Sequence, residues 1–94
     1  MASCREFLTA HAQARMQQRG ISAATVEALL DFGRTKHAGG GRDIVFFDKK
    51  ARARLSRAGV LPGSAVDRAC KSYAIVESDG AVITVGHRYR RIGR

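Results

Sequence analysis

KSYAIVESDGAVITVGHRYRRIGR, residues 71–94, decides the fold class. Two strand-like runs flank Asp79-Gly80. Asp-Gly between β-branched runs is a strong hairpin signal, because a type I′ turn needs φ > 0 at both central residues. The second run alternates at period two. Ala81, Ile83, Val85, His87 and Tyr89 share one face, and Val82, Thr84, Gly86, Arg88 and Arg90 share the other. The first half of this strand therefore carries core residues. Its second half carries an imidazole and a phenol on one side and guanidinium groups on the other, a polyanion site on a rigid element. Either His87 and Tyr89 sit at the rim of the core face and line a cleft, or the strand ends before His87 and the basic tail is a solvated terminus.

Upstream of the hairpin, DKKARARLSRA (48–58) reads as a basic amphipathic helix capped by Asp48. Ala51, Leu55 and Ala58 recur at helical spacing, while Lys49, Lys50, Arg52, Arg54 and Arg57 fill the other faces. Such a helix either tracks a phosphate backbone or presents a solvated face, and the alternation of Arg52 and Arg54 with small residues also fits an extended segment. GVLPGS (59–64) is a loop, and Ala65 to Cys70 adds a helical turn. Ile44 to Phe47 reads as a strand, with Thr35 to Ala38 as a short partner across Gly39, Gly40 and Gly41. The triple glycine lacks the Lys-Ser/Thr of a phosphate-binding loop and reads as a hairpin tip, with His37 beside it as a minor candidate.

Two helices open the chain. Residues 3–19 form the first, with Ser3 and Glu6 as a capping box and Gly20 as its terminator. His11, Arg15 and Arg19 fall at i, i+4 and i+8 and line one side. His11 also lies between Phe7 and Leu8 on the wheel, so it is either the head of a basic row or a half-buried histidine bonded to a carbonyl. Arg15 and Arg19 either bind a ligand or pair with carboxylates of the second helix. That helix runs from the N-cap Ser22 to Gly33, with an Ile21–Val26 hydrophobic staple, and carries no evident chemistry. Strands 42–47, 71–77 and 81–89 then form an antiparallel sheet against these helices, giving a single α+β domain over 1–94.

Charge narrows the function class. Lys and Arg number 17 against 8 acidic residues, for a net charge of +9 and a pI near 10.8. A domain this basic expects a polyanionic partner, nucleic acid first and acidic proteins second. Cys4 and Cys70 lack metal-ligand spacing, and the few carboxylates are scattered, so neither a cofactor, a zinc site nor a two-metal nuclease centre is expected. Neither a signal peptide nor a membrane span is readable, which points to the cytoplasm and reduced thiols.

HAQARMQQRGIS (11–22) and VITVGHRYRRI (82–92), with DIVFFDKKAR (43–52) between them, resemble a family of small bacterial domains of unknown function. The shared pattern is His-Ala, Arg-Met and Arg-Gly-Ile at this spacing, then a Val-x-Thr-Val strand. It makes His11, Arg15, Arg19 and Thr84 family positions. That family is in turn similar to toxin-like domains typified by barnase, EndoU, colicin nucleases and RelE. The resemblance implies a RelE/barnase-like fold first and metal-independent RNA cleavage second. An acidic antitoxin-like protein is the implied partner.

Metal-free RNA cleavage needs a base for the 2′-hydroxyl, an acid for the 5′ oxygen and cations around the phosphorane. His11 and His87 are the candidate base and acid, and Tyr89 stacks on a base or donates a proton. Arg15, Arg19, Arg52, Arg54, Arg88, Arg90 and Arg91 are the candidate nucleic-acid ligands. The expected function is an RNA-binding domain with RNA-cleaving activity. The alternative is a non-catalytic nucleic-acid- or protein-binding module on the same scaffold.

Overall fold

The computed structural model describes residues 8–87. Ser3, Cys4, Glu6 and Phe7, and the candidates Arg88, Tyr89, Arg90 and Arg91, lie outside the described residues. The chain is α+β, with a four-stranded antiparallel sheet. Helices α1 (Ala10–Arg19) and α2 (Ala23–Phe32) come first, followed by strands β1 (Arg34–Gly39) and β2 (Arg42–Phe46). Helices α3 (Lys49–Ala58) and α4 (Gly63–Ala69) precede strands β3 (Ser72–Glu77) and β4 (Val82–His87). The sheet order is β1-β2-β3-β4. One more strand forms than the three expected for the sheet, because Thr35 to His37 pair fully with Val45 to Asp43.

Val45, Ala74 and Val85 are cross-strand partners and all are buried, which defines the inner face of the sheet. Helix α2 lies against β2 and β3, α3 and α4 pack on α2 and on each other, and α1 lies along β4. Val26 and Leu29 of α2, Leu55 of α3, and Val82 and Val85 of β4 are the largest apolar side chains that are fully buried. Each such side chain contributes roughly 1.5–3 kcal/mol by leaving water.

The helix punctuation is local chemistry. Ser22 Oγ accepts the Thr25 N–H, and Asp48 Oδ1 accepts the Ala51 N–H at 2.8 Å. Gly20 and Gly59 take left-handed conformations after α1 and α3, where a Cβ would be strained. The first helix starts at Ala10, later than the expected residue 3. Thr9 is its N-cap, accepting the Ala12 N–H, and Leu8 instead forms a parallel bridge to Val82. The backbone of Leu8 and Thr9 is spent on β4, so helix cannot extend through it.

The type I′ turn forms at the glycine tip of the first hairpin, not at the expected Asp79-Gly80. Gly40 and Gly41 both have φ > 0 between the paired residues Gly39 and Arg42, the signature of a type I′ turn. At the other hairpin only Gly80 has positive φ. The Gly80 N–H donates to the Glu77 carbonyl, the Glu77 N–H to the Ala81 carbonyl, and Asp79 Oδ1 accepts the Ala81 N–H. This is a three-residue loop with a glycine bulge, not the expected type I′ turn. Asp79 keeps an ordinary backbone and uses its carboxylate to close the loop.

The expected alternation along β4 also fails. Ile75 pairs with Thr84 while Val76 pairs with Val82, which leaves Ile83 as an extra residue. This β-bulge turns both Val82 and Val85 into the core, at 0% and 1% exposure, and leaves Ile83 half-buried. Beyond the bulge the period resumes. Gly86 faces outward beside Tyr73, and His87 shares the inner side with Val85 and with its partner Ser72.

Gly33 has an ordinary φ of −69°, so its constraint is space. A Cβ there would run into the Leu29 carbonyl and come within 2.7 Å of Val45 Cγ1. Gly33→Ala is expected to destabilise the domain by about 1–3 kcal/mol, read as a lower urea midpoint at unchanged m; an unshifted midpoint would contradict this packing. Asp48 supplies a pH-dependent contribution. The Ala51 N–H, then the Arg34 guanidinium at 3.0 Å, hold its carboxyl below the ordinary value of 3.8. A depressed native pKa stabilises the fold above the unfolded value and loses that effect as pH falls through the native one. Asp48→Asn should therefore be less stable than the wild type near pH 7, with the gap in melting temperature closing below about pH 4. Asp48→Ala should cost about 1 kcal/mol more, through the lost cap.

Candidate functional site

His87, the last residue of β4, lines a polar cleft. Its Nε2–H donates to the Arg19 carbonyl at 2.7 Å, in the last turn of α1. That carbonyl lacks an intrahelical partner, so the imidazole caps the helix end. With Nε2 as donor, Nδ1 carries the lone pair of the neutral ring. The ring is half-buried and forms one wall of a cleft of about 230 Å³.

The rest of the cleft comes from three further elements. The α1–α2 corner supplies Gly20 and Ile21, the start of α2 supplies Ser22 and Thr25, and α4 and its exit supply Ala65, Arg68, Lys71 and Ser72. Ser72 is 2% exposed and donates to the Arg68 carbonyl at 3.3 Å. Among the described residues, no carboxylate lines the cleft. The positive end of the α2 dipole, Arg68 and Lys71 all face the same space, so the local field favours an anion. The volume lies below the roughly 300–1,000 Å³ of sites for drug-sized ligands, which suits a phosphate group better than a whole nucleotide.

The other histidines stand apart. His11 is exposed on α1, where the Arg15 Nε–H donates to its Nε2 at 3.5 Å. It is therefore not the half-buried, carbonyl-bonded histidine of one reading. His11 and Arg19 are eight residues apart on α1, about 12 Å along the axis, so His11 and His87 serve opposite ends of the helix. His37 pairs with Asp43 at 3.1 Å on the exposed β1–β2 hairpin.

The candidate arginines divide likewise. Arg15 donates to Gln18 at 3.4 Å, and neither it nor Arg19 pairs with an α2 carboxylate among the described residues. Arg19 reaches across the edge of β4. A Cβ on Gly86 would meet Arg19 Nη1 at 2.9 Å and Tyr73 Oη at 2.8 Å, so guanidinium and phenol converge over the bare glycine. Arg52 is ion-paired with Asp67 of α4, and Arg54 donates to the Phe32 carbonyl at 3.2 Å. Neither lines the cleft. Arg54 lines a second, wider groove with Arg34, Asp48, Lys50, Ala53 and Arg57.

Arg68, Lys71, Ser72, Ser22 and Thr25 were not singled out from the sequence. They are separated by up to fifty residues, and no local pattern joins them. The one available signal was the Arg68/Lys71 pair immediately before the β3 hairpin.

Among the described residues, no three His, Cys, Asp or Glu side chains come together as a metal site, and no helix is long and apolar enough to cross a membrane. No curated protein and no solved structure matches the chain. One family model does, the Domain of unknown function (DUF4258), over residues 8–87, from the bridge at Leu8 to the cleft histidine. The chain therefore belongs to the DUF4258 family.

Proposed function

We propose that this protein is an RNA-binding domain that cleaves RNA without a metal, using the His87 cleft. The observation that carries the reading is the convergence of one imidazole, two cations and two helix termini on a cleft of phosphate size that no carboxylate lines among the described residues. The net charge of +9 and the resemblance to RelE- and barnase-like toxin domains support it.

In this reading, His87 Nδ1 takes the 2′-hydroxyl proton while its Nε2–H stays on the Arg19 carbonyl. The 2′ oxygen attacks the adjacent phosphorus, and the bond to the 5′ oxygen breaks. The products are a 2′,3′-cyclic phosphate and a 5′-hydroxyl. Arg68 and Lys71 stabilise the charge that builds on the phosphorane. Tyr89, two residues further along the chain, is the candidate acid for the leaving oxygen. An acidic, antitoxin-like protein would restrain the domain by covering its cations.

A second reading rests on the same hydrogen bond. If His87 serves only to hold the end of α1, the cleft binds phosphate without turnover. Substitution by Gln separates the two, because an amide N–H still donates to the carbonyl but no base remains. End-labelled RNA in EDTA at low salt should be cleaved by the wild type and by His11→Ala. His87→Gln should lose about 10²–10⁴-fold in rate while still shifting RNA in a gel. Undiminished cleavage by His87→Gln would remove His87 from the chemistry. A salt-sensitive gel shift with no cleavage by any protein would leave the binding module.

A further inference from the structure

Helix α3 carries basic residues on two sides, and the structure separates them. Ala51 and Leu55 face the core. Arg52 turns toward α4 and is tied to Asp67. Lys50, Ala53, Arg54 and Arg57 recur at i, i+3, i+4 and i+7 and so form one continuous stripe. Arg34, the first residue of β1, lies against this stripe and completes a groove of about 580 Å³.

The charge in the groove is not internally balanced. Among the described residues, four cations face a single carboxylate, Asp48, already engaged by Arg34 at 3.0 Å and by the Ala51 N–H at 2.8 Å. Arg54 is held by the Phe32 carbonyl at 3.2 Å, which orients its guanidinium and leaves further N–H donors available. Among the described residues, neither Lys50 nor Arg57 has a carboxylate partner. Ala53 gives the stripe a low point between them.

The lining chemistry selects the ligand class. Among the described residues, no aromatic, amide or hydroxyl side chain lines the groove, so it offers stacked bases no aromatic platform and presents mainly forked and point cations. Protein partners need buried apolar or aromatic anchors, and among the described residues Ala53 is the only apolar side chain here. Guanidinium and ammonium groups without such anchors match phosphate. Lys50 to Arg57 spans about 10 Å of helix axis, enough for more than one phosphate.

We infer that this groove is a second nucleic-acid contact, a sequence-independent rail for the phosphate backbone of the single-stranded RNA whose reactive phosphate enters the His87 cleft. The inference rests on the RNA reading above and extends it, because a substrate held at both places must be longer than the scissile dinucleotide. The rail supplies affinity and register, and the cleft supplies the chemistry. All groove cations sit on exposed faces of α3 and β1, so removing them leaves the core untouched.

The test is the salt dependence of binding to a fluorescein-labelled 2′-O-methyl oligouridylate 20-mer, which binds but cannot undergo 2′ attack. Anisotropy titrations over a KCl series would compare wild type, Lys50→Ala/Arg57→Ala and Arg68→Ala/Lys71→Ala. Each phosphate contact on a single strand contributes about 0.7 to the slope of log K against log salt. The groove double variant should therefore bind more weakly at low salt and lose about 1.4 from the slope. Combining it with the cleft variant should lose about twice that. Circular dichroism would confirm that each variant is folded. Wild-type slope and affinity in the groove variant, with RNA binding otherwise intact, would overturn the rail and spare the RNA reading. Absence of RNA binding by the wild type at low salt would overturn both. Displacement of the oligonucleotide by poly-glutamate at equal charge concentration from wild type, but not from the groove variant, would reassign the groove to an acidic protein.

Discussion

Helix α1 is fastened to the edge of β4 at both of its ends, and the rest of the structure depends on that attachment. At one end the Thr9 N–H donates to the Val82 carbonyl at 3.1 Å, and the Thr9 hydroxyl to the Ile83 carbonyl at 3.4 Å. At the other, His87 holds the Arg19 carbonyl at 2.7 Å. A bare edge strand would expose unpaired backbone groups, and α1 with its leader covers this one. The bulge at Ile83 makes the attachment work. It directs Val82 inward, where it completes the core, and places the Ile83 carbonyl within reach of Thr9. Because α1 ends on His87, the turn at Gly20 delivers the start of α2 to the open end of the same strand. The cleft is a by-product of closing the sheet edge.

Charge is distributed around this frame rather than holding it together. Exposed ion pairs such as Arg34–Asp48, Arg42–Glu77 and Arg52–Asp67 are each worth about 0–1 kcal/mol. Their larger effect is to consume acidic side chains. With 17 cations and 8 anions in the chain, pairing leaves basic groups in excess, and the shape of the molecule gathers them. Arg68 and Lys71 meet at the cleft, and Lys50, Arg54 and Arg57 meet along the outside of α3. The far edge of the sheet is protected differently. β1 is short, largely exposed and charged, features that discourage pairing with another chain.

The punctuation of the helices was legible in the sequence because capping is local. Ser22, Asp48, Gly20 and Gly33 act on backbone groups within one turn of themselves, so their roles follow from residue type and spacing. The start of α1 was not legible. The capping-box spacing of Ser3 with Glu6 pointed to an earlier start, whereas Thr9 is the N-cap of α1, beside the bridge between Leu8 and Val82, seventy-four residues away. The turn at Asp79-Gly80 failed for a related reason. Its dipeptide is compatible with two hairpin geometries, and the choice follows from how β3 and β4 align across the bulge. Of the candidate site residues, His87 reached a cleft and Arg54 a groove. His11, Arg15, Arg19 and Arg52 did not enter the cleft, since a helical spacing fixes a shared side of a helix but not what that side faces.

By itself the sequence determined an α+β domain, its two hairpins, its capped helices and its strong positive charge, since these follow from periodicity, turn chemistry and composition. The tertiary structure alone decided which cations act together. Arg52 is neutralised by Asp67, while Arg68 and Lys71 are brought to His87 and Ser22. That outcome depends on how the helices settle against the sheet and on each other, a matter of packing between residues far apart in the chain, which no local pattern encodes.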